Sequence, residues 1–249
     1  MRNSLFILCF LSFRLFAQPY NVTRALKEPE GAFYRADTSA RVIYLNFTAH
    51  EFMEGLPYVS RVLDSMKVPA SFFLTGDFVR THPDWVKQLY GSGHYVGAHS
   101  DKHLLYCDWV KRDSLLESLT TIRTDLENNI AALEIAGVPR SATTFFMPPY
   151  EWYNRAVYKL VSDMGYVMVN FSPGTSSNAD YTTPDMKNYL SSDTIMARIL
   201  RFERTRGMNG FHLLIHVGTD PARTDKLYAH LPALIAYFRS RGYKFARFN

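Results

Sequence analysis

Short apolar runs and apolar stripes at helical spacing alternate along this chain from residue 41 to its end. Residues 41–48 (Arg-Val-Ile-Tyr-Leu-Asn-Phe-Thr) form a mostly apolar run of strand length. Residues 56–66 follow with Val59, Val62, Leu63 and Met66 on one helical face. Residues 70–73 and 95–98 read as further strands. Between them, 81–90 reads as a helix whose start is marked by Thr81, Asp84 and Pro83, and Gly91 and Gly93 end it. A long helix is predicted over 112–136 from Leu115, Leu119, Ile122, Leu126, Ile130 and Leu133. Then come strand 143–147, helix 156–164 and strand 166–171. A polar loop over 173–189, helix 192–204, strand 211–216, helix 227–240 and strand 244–248 complete the chain.

Strand and helix alternate without an internal repeat or a Pro/Gly/Ser linker. That order predicts an α/β fold of one domain over 41–249, a parallel sheet with helices outside it, closed as a barrel. In such barrels the functional groups gather at the carboxyl ends of the strands. Thr48 to Glu51, His99 and His103, Pro149 and Tyr150, and His216 each follow a predicted strand. Four strands therefore aim polar groups at one rim.

Composition changes the picture at the N-terminus. Arg2, an apolar run over 5–13 and Ala17 before Gln18 form a secretory signal over 1–17. The run is too short to span a bilayer and is interrupted by Arg14, so no transmembrane segment is expected once the signal is removed. The expected location is periplasmic or extracellular, with 18–40 as an extended lead-in. The formal charge is +5, with Arg2 and Arg14 inside the signal. Lys and Arg are scattered, which gives no nucleic-acid partner. Cys9 falls in the signal and leaves Cys107 alone, so no intrachain disulfide is expected.

The chemistry centres on His99-Ser100-Asp101-Lys102-His103. Two imidazoles four residues apart face one way if the chain makes a helical turn. Neutral imidazole is a common ligand of zinc-like cations, and open hydrolase sites take three protein ligands and a water. The plain alternatives are ordinary ones. A His pair arises by chance, His216 suits a core position in its apolar run, Glu51 and Glu151 suit the surface, and Asp101 suits a turn.

Taken together, these residues resemble the polysaccharide deacetylase family, carbohydrate esterase family four, over roughly residue 42 to the C-terminus. His99-Ser100-x-x-His103 is similar to that family's metal-binding second motif, Pro148-Pro149-Tyr150 to the end of its third, and Leu214-Ile215-His216 to its fifth. Val68-Pro69-Ala70-Ser71-Phe72-Phe73 and Gly93-His94-Tyr95-Val96-Gly97 also read like the family. The resemblance implies an irregular (β/α) barrel and a metal-dependent hydrolase that removes acyl groups, usually N-acetyl, from an extracellular polysaccharide or oligosaccharide. It implies a divalent cation, zinc, and a catalytic His216 that protonates the leaving group. The backbone N–H of Tyr150 would hold the oxyanion. Asp180-Tyr181 stands where the family has the Asp-Trp that orients the acid His.

The first motif departs from the family. Its Thr-Phe-Asp-Asp is Asn46-Phe47-Thr48-Ala49 here, so Thr48 replaces the general base and Ala49 a metal ligand. The Arg that contacts that base is Met147, a paired loss that avoids a buried unpaired charge. Two readings follow. In a rewired enzyme, His50, Glu51 or Asp101 completes the metal shell, His50 and Asp101 ahead of Glu51, and Glu51 or Asp101 acts as base. In an inactive relative, the barrel binds glycan through rim aromatics. Of these, Trp109, Trp152 and Tyr181 are expected at the substrate with Pro149 and Asp180, and Tyr106 and Tyr153 are further rim candidates. An amidase acting on a small extracellular amide is a third alternative.

Overall fold

Inward and outward positions alternate along β3 (Val42–Ala49), the strand that carries the altered motif. Ile43, Leu45, Phe47 and Ala49 join the large core under the helices, whereas Tyr44 joins a second core inside the sheet. That second core also holds Phe73, Tyr95, Phe145, Met147 and Leu214. The computed structural model describes residues 20–249, so the signal expected at 1–17 lies outside the described residues.

The other strands are β1 (Leu26–Lys27), β2 (Phe33–Arg35), β4 (Ser71–Leu74), β5 (Tyr95–Ala98), β6 (Phe145–Phe146), β7 (Val167–Met168), β8 (Phe211–His216) and β9 (Lys244–Ala246). They form a nine-stranded sheet in the order β1-β2-β8-β3-β4-β5-β6-β7, with β9 also on β3. From β8 to β7 every pair is parallel, as the alternation predicts. The lead-in adds what the sequence did not announce. β2 runs antiparallel to β8, with Arg35 opposite Phe211, and Phe33 bridges Val169 just past β7. The N–H of Asn170 donates to the Phe33 carbonyl at 2.8 Å. Residues 33–35 are therefore the stave between the two open edges. Tyr20 fills the interior beneath, with its ring 5.0 Å from that of Phe248 and its hydroxyl 3.2 Å from His212 Nε2.

The helices are α1 (Leu56–Met66), α2 (Gly76–Thr81), α3 (Pro83–Gly91), α4 (Leu119–Ile135), α5 (Arg155–Asp163), α6 (Ser192–Arg206) and α7 (Leu231–Ser240). Three helices start later than the sequence reading has them. Thr81 ends α2 rather than capping α3; the cap is on α2, where Thr75 Oγ1 accepts the N–H of Phe78. Residues 112–118 are not helical, because Ser118 caps α4 and Arg112 turns away to donate to the Tyr153 carbonyl. Residues 227–230 form a 3-10 turn ahead of Pro232. No helix among the described residues is long and apolar enough to cross a membrane. Cys107 is free and buried.

Candidate active site

The carboxyl ends of β3, β5 and β8 and the turn after β6 open into one cleft of about 600 Å³. Thr48, His50, Glu51, His99, His103, Trp109, Tyr150, Glu151, Tyr181 and His216 all line it. The pairing register sets Thr48 beside His216 across neighbouring strands.

The His pair converges without the helical turn that its spacing suggested. His99 sits just past β5, and its Nδ1–H donates to the Met147 carbonyl at 2.9 Å, which leaves Nε2 free. Ser100 and His103 then take left-handed φ of 72° and 54°, and Ser100 Oγ accepts the His103 N–H at 2.8 Å. His50 lies with its ring 4.8 Å from that of His103, nearly parallel to it, and Nδ1 3.1 Å from Thr75 Oγ1. The rings of His99 and His103 are 5.1 Å apart. Burial, then the neighbouring imidazoles, push His103 down to about 2. Burial pushes His99 down to about 3, against the Met147 hydrogen bond. Both are neutral, as metal ligation requires. In kind these donors fit a borderline divalent cation. In arrangement they are not closed around one: no group of three or more His, Cys, Asp or Glu among the described residues is placed to hold a metal ion.

His216 is the opposite case. Asp180, on the 3-10 turn Ser177–Tyr181, accepts its backbone N–H at 2.9 Å and its Nδ1–H at 2.6 Å. Burial alone would lower the pKa of His216. The charge and hydrogen bond of Asp180, with Glu151 further off, outweigh it and raise the pKa. The raised pKa favours the protonated ring, the form a proton donor needs.

Several expected residues sit elsewhere. Asp101 does not face the cleft. Its carboxylate is buried against Arg80, with contacts of 2.7 and 3.1 Å, because Gly76 leaves room for it against α2. This placement removes it as a ligand or base. Trp152 does not line the cleft. It stacks behind Trp109 at 5.4 Å, lies under the Arg112 guanidinium at 4.0 Å and donates to the Asp108 carbonyl. Tyr106 and Tyr153 are core residues with hydroxyls donating to Asp125 and Glu28. Pro149 is buried beneath Tyr150 and shapes the turn. Trp109 and Tyr181 are about half exposed on the cleft walls.

The sequence reading set Glu151 aside as a surface charge, yet it lines the cleft. Tyr150 and Glu151 both have left-handed φ, 58° and 53°. This conformation costs a non-glycine residue about 1–2 kcal/mol, and such outliers cluster at functional sites. Burial pushes Glu151 up to about 7, with His216 opposing and Asp180 adding. Thr48 Oγ1 is buried at the same cleft and has no hydrogen-bond partner among the described residues. Phe52, Asn178, Met186 and the stretch 218–220 complete walls that no motif marked.

The chain shares 33% identity over 140 residues with an uncharacterized 30.6 kDa protein of Geobacillus stearothermophilus, covering 55% of this chain and 48% of that protein. It shares 29% over 149 residues with the peptidoglycan-N-acetylmuramic acid deacetylase PdaA of Bacillus subtilis, covering 59% and 53%. It thus spans about half the length of these curated relatives. In fold it is similar to a CE4-family pseudoenzyme from Bacillus anthracis, with a TM-score of 0.69 at 20% identity over 88% of this chain and 68% of that one. The polysaccharide deacetylase family model matches residues 35–169, just over half of the 249 residues, and the chain belongs to that family.

Proposed function

We propose that the protein removes acyl groups, N-acetyl in particular, from a polysaccharide or oligosaccharide outside the cytoplasm. One observation carries this reading: His216, its ring held by Asp180, faces a cleft in a chain whose family is that of polysaccharide deacetylases. His99 and His103, with His50 as the nearest third imidazole, would hold a divalent cation of the zinc class. The chemistry such a cation supplies is Lewis acidity and an acidified water.

The chain's own residues divide the remaining work. Trp109 and Tyr181 offer flat amphipathic walls to sugar faces. The backbone N–H of Tyr150, in its left-handed turn, stabilises the oxyanion. His216 gives its Nε2 proton to the departing amine, and Asp180 fixes the ring for that transfer. Glu51 stands exposed at the rim. The signal at 1–17 takes the protein to its substrate.

Thr48 and Ala49, in place of the family's two carboxylates, favour a second reading, a glycan-binding relative without turnover. The test measures acetate release from N-acetylated chitooligosaccharide, peptidoglycan fragments and acetylated xylan, beside metal content by mass spectrometry. The enzyme reading expects about one equivalent of metal, lost in His99→Ala and His103→Ala, and turnover reduced about 10²–10⁴-fold in His216→Ala. A wild type that binds glycan and releases no acetate with zinc supplied establishes the second reading instead.

A further inference from the structure

Hydrolysis needs a base, and position 48 does not provide one. Asp101 is held by Arg80 outside the cleft, and Glu51 is exposed at the rim. Asp220 at the outer wall is exposed, and its Oδ1 accepts the Ala222 N–H at 2.8 Å. The remaining carboxylate of the cleft lining, beside Thr48, His103 and His216, is that of Glu151. Two consecutive left-handed residues put it there. The turn is held at both ends: the Glu151 N–H donates to the Pro148 carbonyl at 3.0 Å, and Nδ2 of the buried Asn170 donates to the Glu151 carbonyl at 3.0 Å. The carboxyl accepts no hydrogen bond from the described residues, although Asp180 and His216 are close enough to act on it electrostatically. A carboxylate shielded on its protein side, open to the cleft and without a protein donor is placed to take a proton from water.

We infer that Glu151 is the general base of the acyl transfer proposed above, standing in for the carboxylate that Thr48 lacks; the inference rests on that reading. In the step, a water oxygen bonds to the acyl carbon as Glu151 takes one of the water's protons, and the carbonyl pair moves onto its oxygen. On collapse that pair re-forms the carbonyl and the carbon–nitrogen bond breaks. The bond's electrons go to nitrogen, and His216 delivers a proton there. The products are the free amine and the carboxylic acid. Glu151 is left protonated and His216 neutral, and a proton passing between them through solvent restores both. Burial of Glu151, which keeps its pKa near neutrality, suits it to the role.

The experiment compares Glu151→Gln, Glu151→Asp and Glu151→Ala with wild type on N-acetylated chitooligosaccharide, reading acetate release against pH and metal content by mass spectrometry. The expected results are a kcat about 10²–10⁴-fold lower in Glu151→Gln with KM little changed, loss of the acidic limb that wild type shows near pH 7, unchanged metal content, and partial rescue of Glu151→Ala by formate. Glu151→Asp should keep part of the activity. Wild-type turnover with Glu151→Gln within about threefold and the same acidic limb would overturn the assignment alone. Loss of metal in Glu151→Gln would also overturn it, by making Glu151 a ligand. A wild type that releases no acetate overturns the parent reading and this one together.

Discussion

Asp180 grips His216 at two points, accepting the backbone N–H at Oδ2 and the ring Nδ1–H at Oδ1. The carboxylate thereby fixes the position of the strand end, the tautomer and the charge of the ring. Asp180→Asn keeps the shape and removes the charge. Burial then acts with less opposition, and the His216 pKa falls. Turnover is expected to drop roughly 10²-fold, toward the low end of what a misaligned acid costs. The sign for stability follows from the raised pKa. The stabilisation is fully present below the unfolded value of about 6.5 and is lost as pH rises through the folded value. Variant and wild type should therefore differ most in denaturant midpoint at low pH and converge in alkali. Ring titration by NMR checks the pKa directly.

The other buried imidazoles work in the reverse sense. His99, His103 and His212 are held down to about 3, about 2 and about 4, chiefly by burial. Between about pH 6.5 and 4 the unfolded chain binds protons that the folded chain refuses, so stability falls as pH falls. Glu151, raised to about 7, opposes this over part of the same range. Burial also lowers His94 and raises Glu28. Four imidazoles outweigh two carboxyls, and urea midpoints should decline from about pH 6.5 to about pH 4.

Asp101→Asn separates structure from chemistry. The carboxylate is buried, but its partner Arg80 is 44% exposed, which moderates the loss. Stability is expected to fall by about 1–3 kcal/mol, with metal content unchanged. Thermal melts and mass spectrometry on one preparation check both halves. A variant that lost metal at full stability would contradict the placement of Asp101.

Trp109 is 53% exposed, and its ring meets Tyr150 edge-on at 5.7 Å. Trp109→Ala should raise KM about tenfold, roughly 1.4 kcal/mol of binding, with kcat nearly unchanged because the ring takes no part in the chemistry. Steady-state kinetics and calorimetric binding of a chitooligosaccharide give the two numbers.

What the sequence made legible depended on how local the cause was. The strands 95–98 and 211–216 and the helix 56–66 match end to end, because an apolar run or stripe is its own signal. The rim was legible because the candidate groups each follow a strand. The failures have distant causes. Asp101 is claimed by an arginine 21 residues back in another helix. Tyr106 and Tyr153 are drawn inward by Asp125 and Glu28, carboxylates the sequence does not place near them. Glu151 owes its direction to left-handed angles at two non-glycine residues, which nothing in their identity announces.

The stave at Phe33–Arg35 has a consequence for anyone cutting the gene. A fragment begun at residue 41 would retain every motif and still be an unlatched cylinder. Its edges at β8 and past β7 would offer unsatisfied amides to any passing strand, and the space that Tyr20 fills would stand open. Such a fragment should come out of the cell as aggregate, and a chain begun at residue 20 or earlier should not.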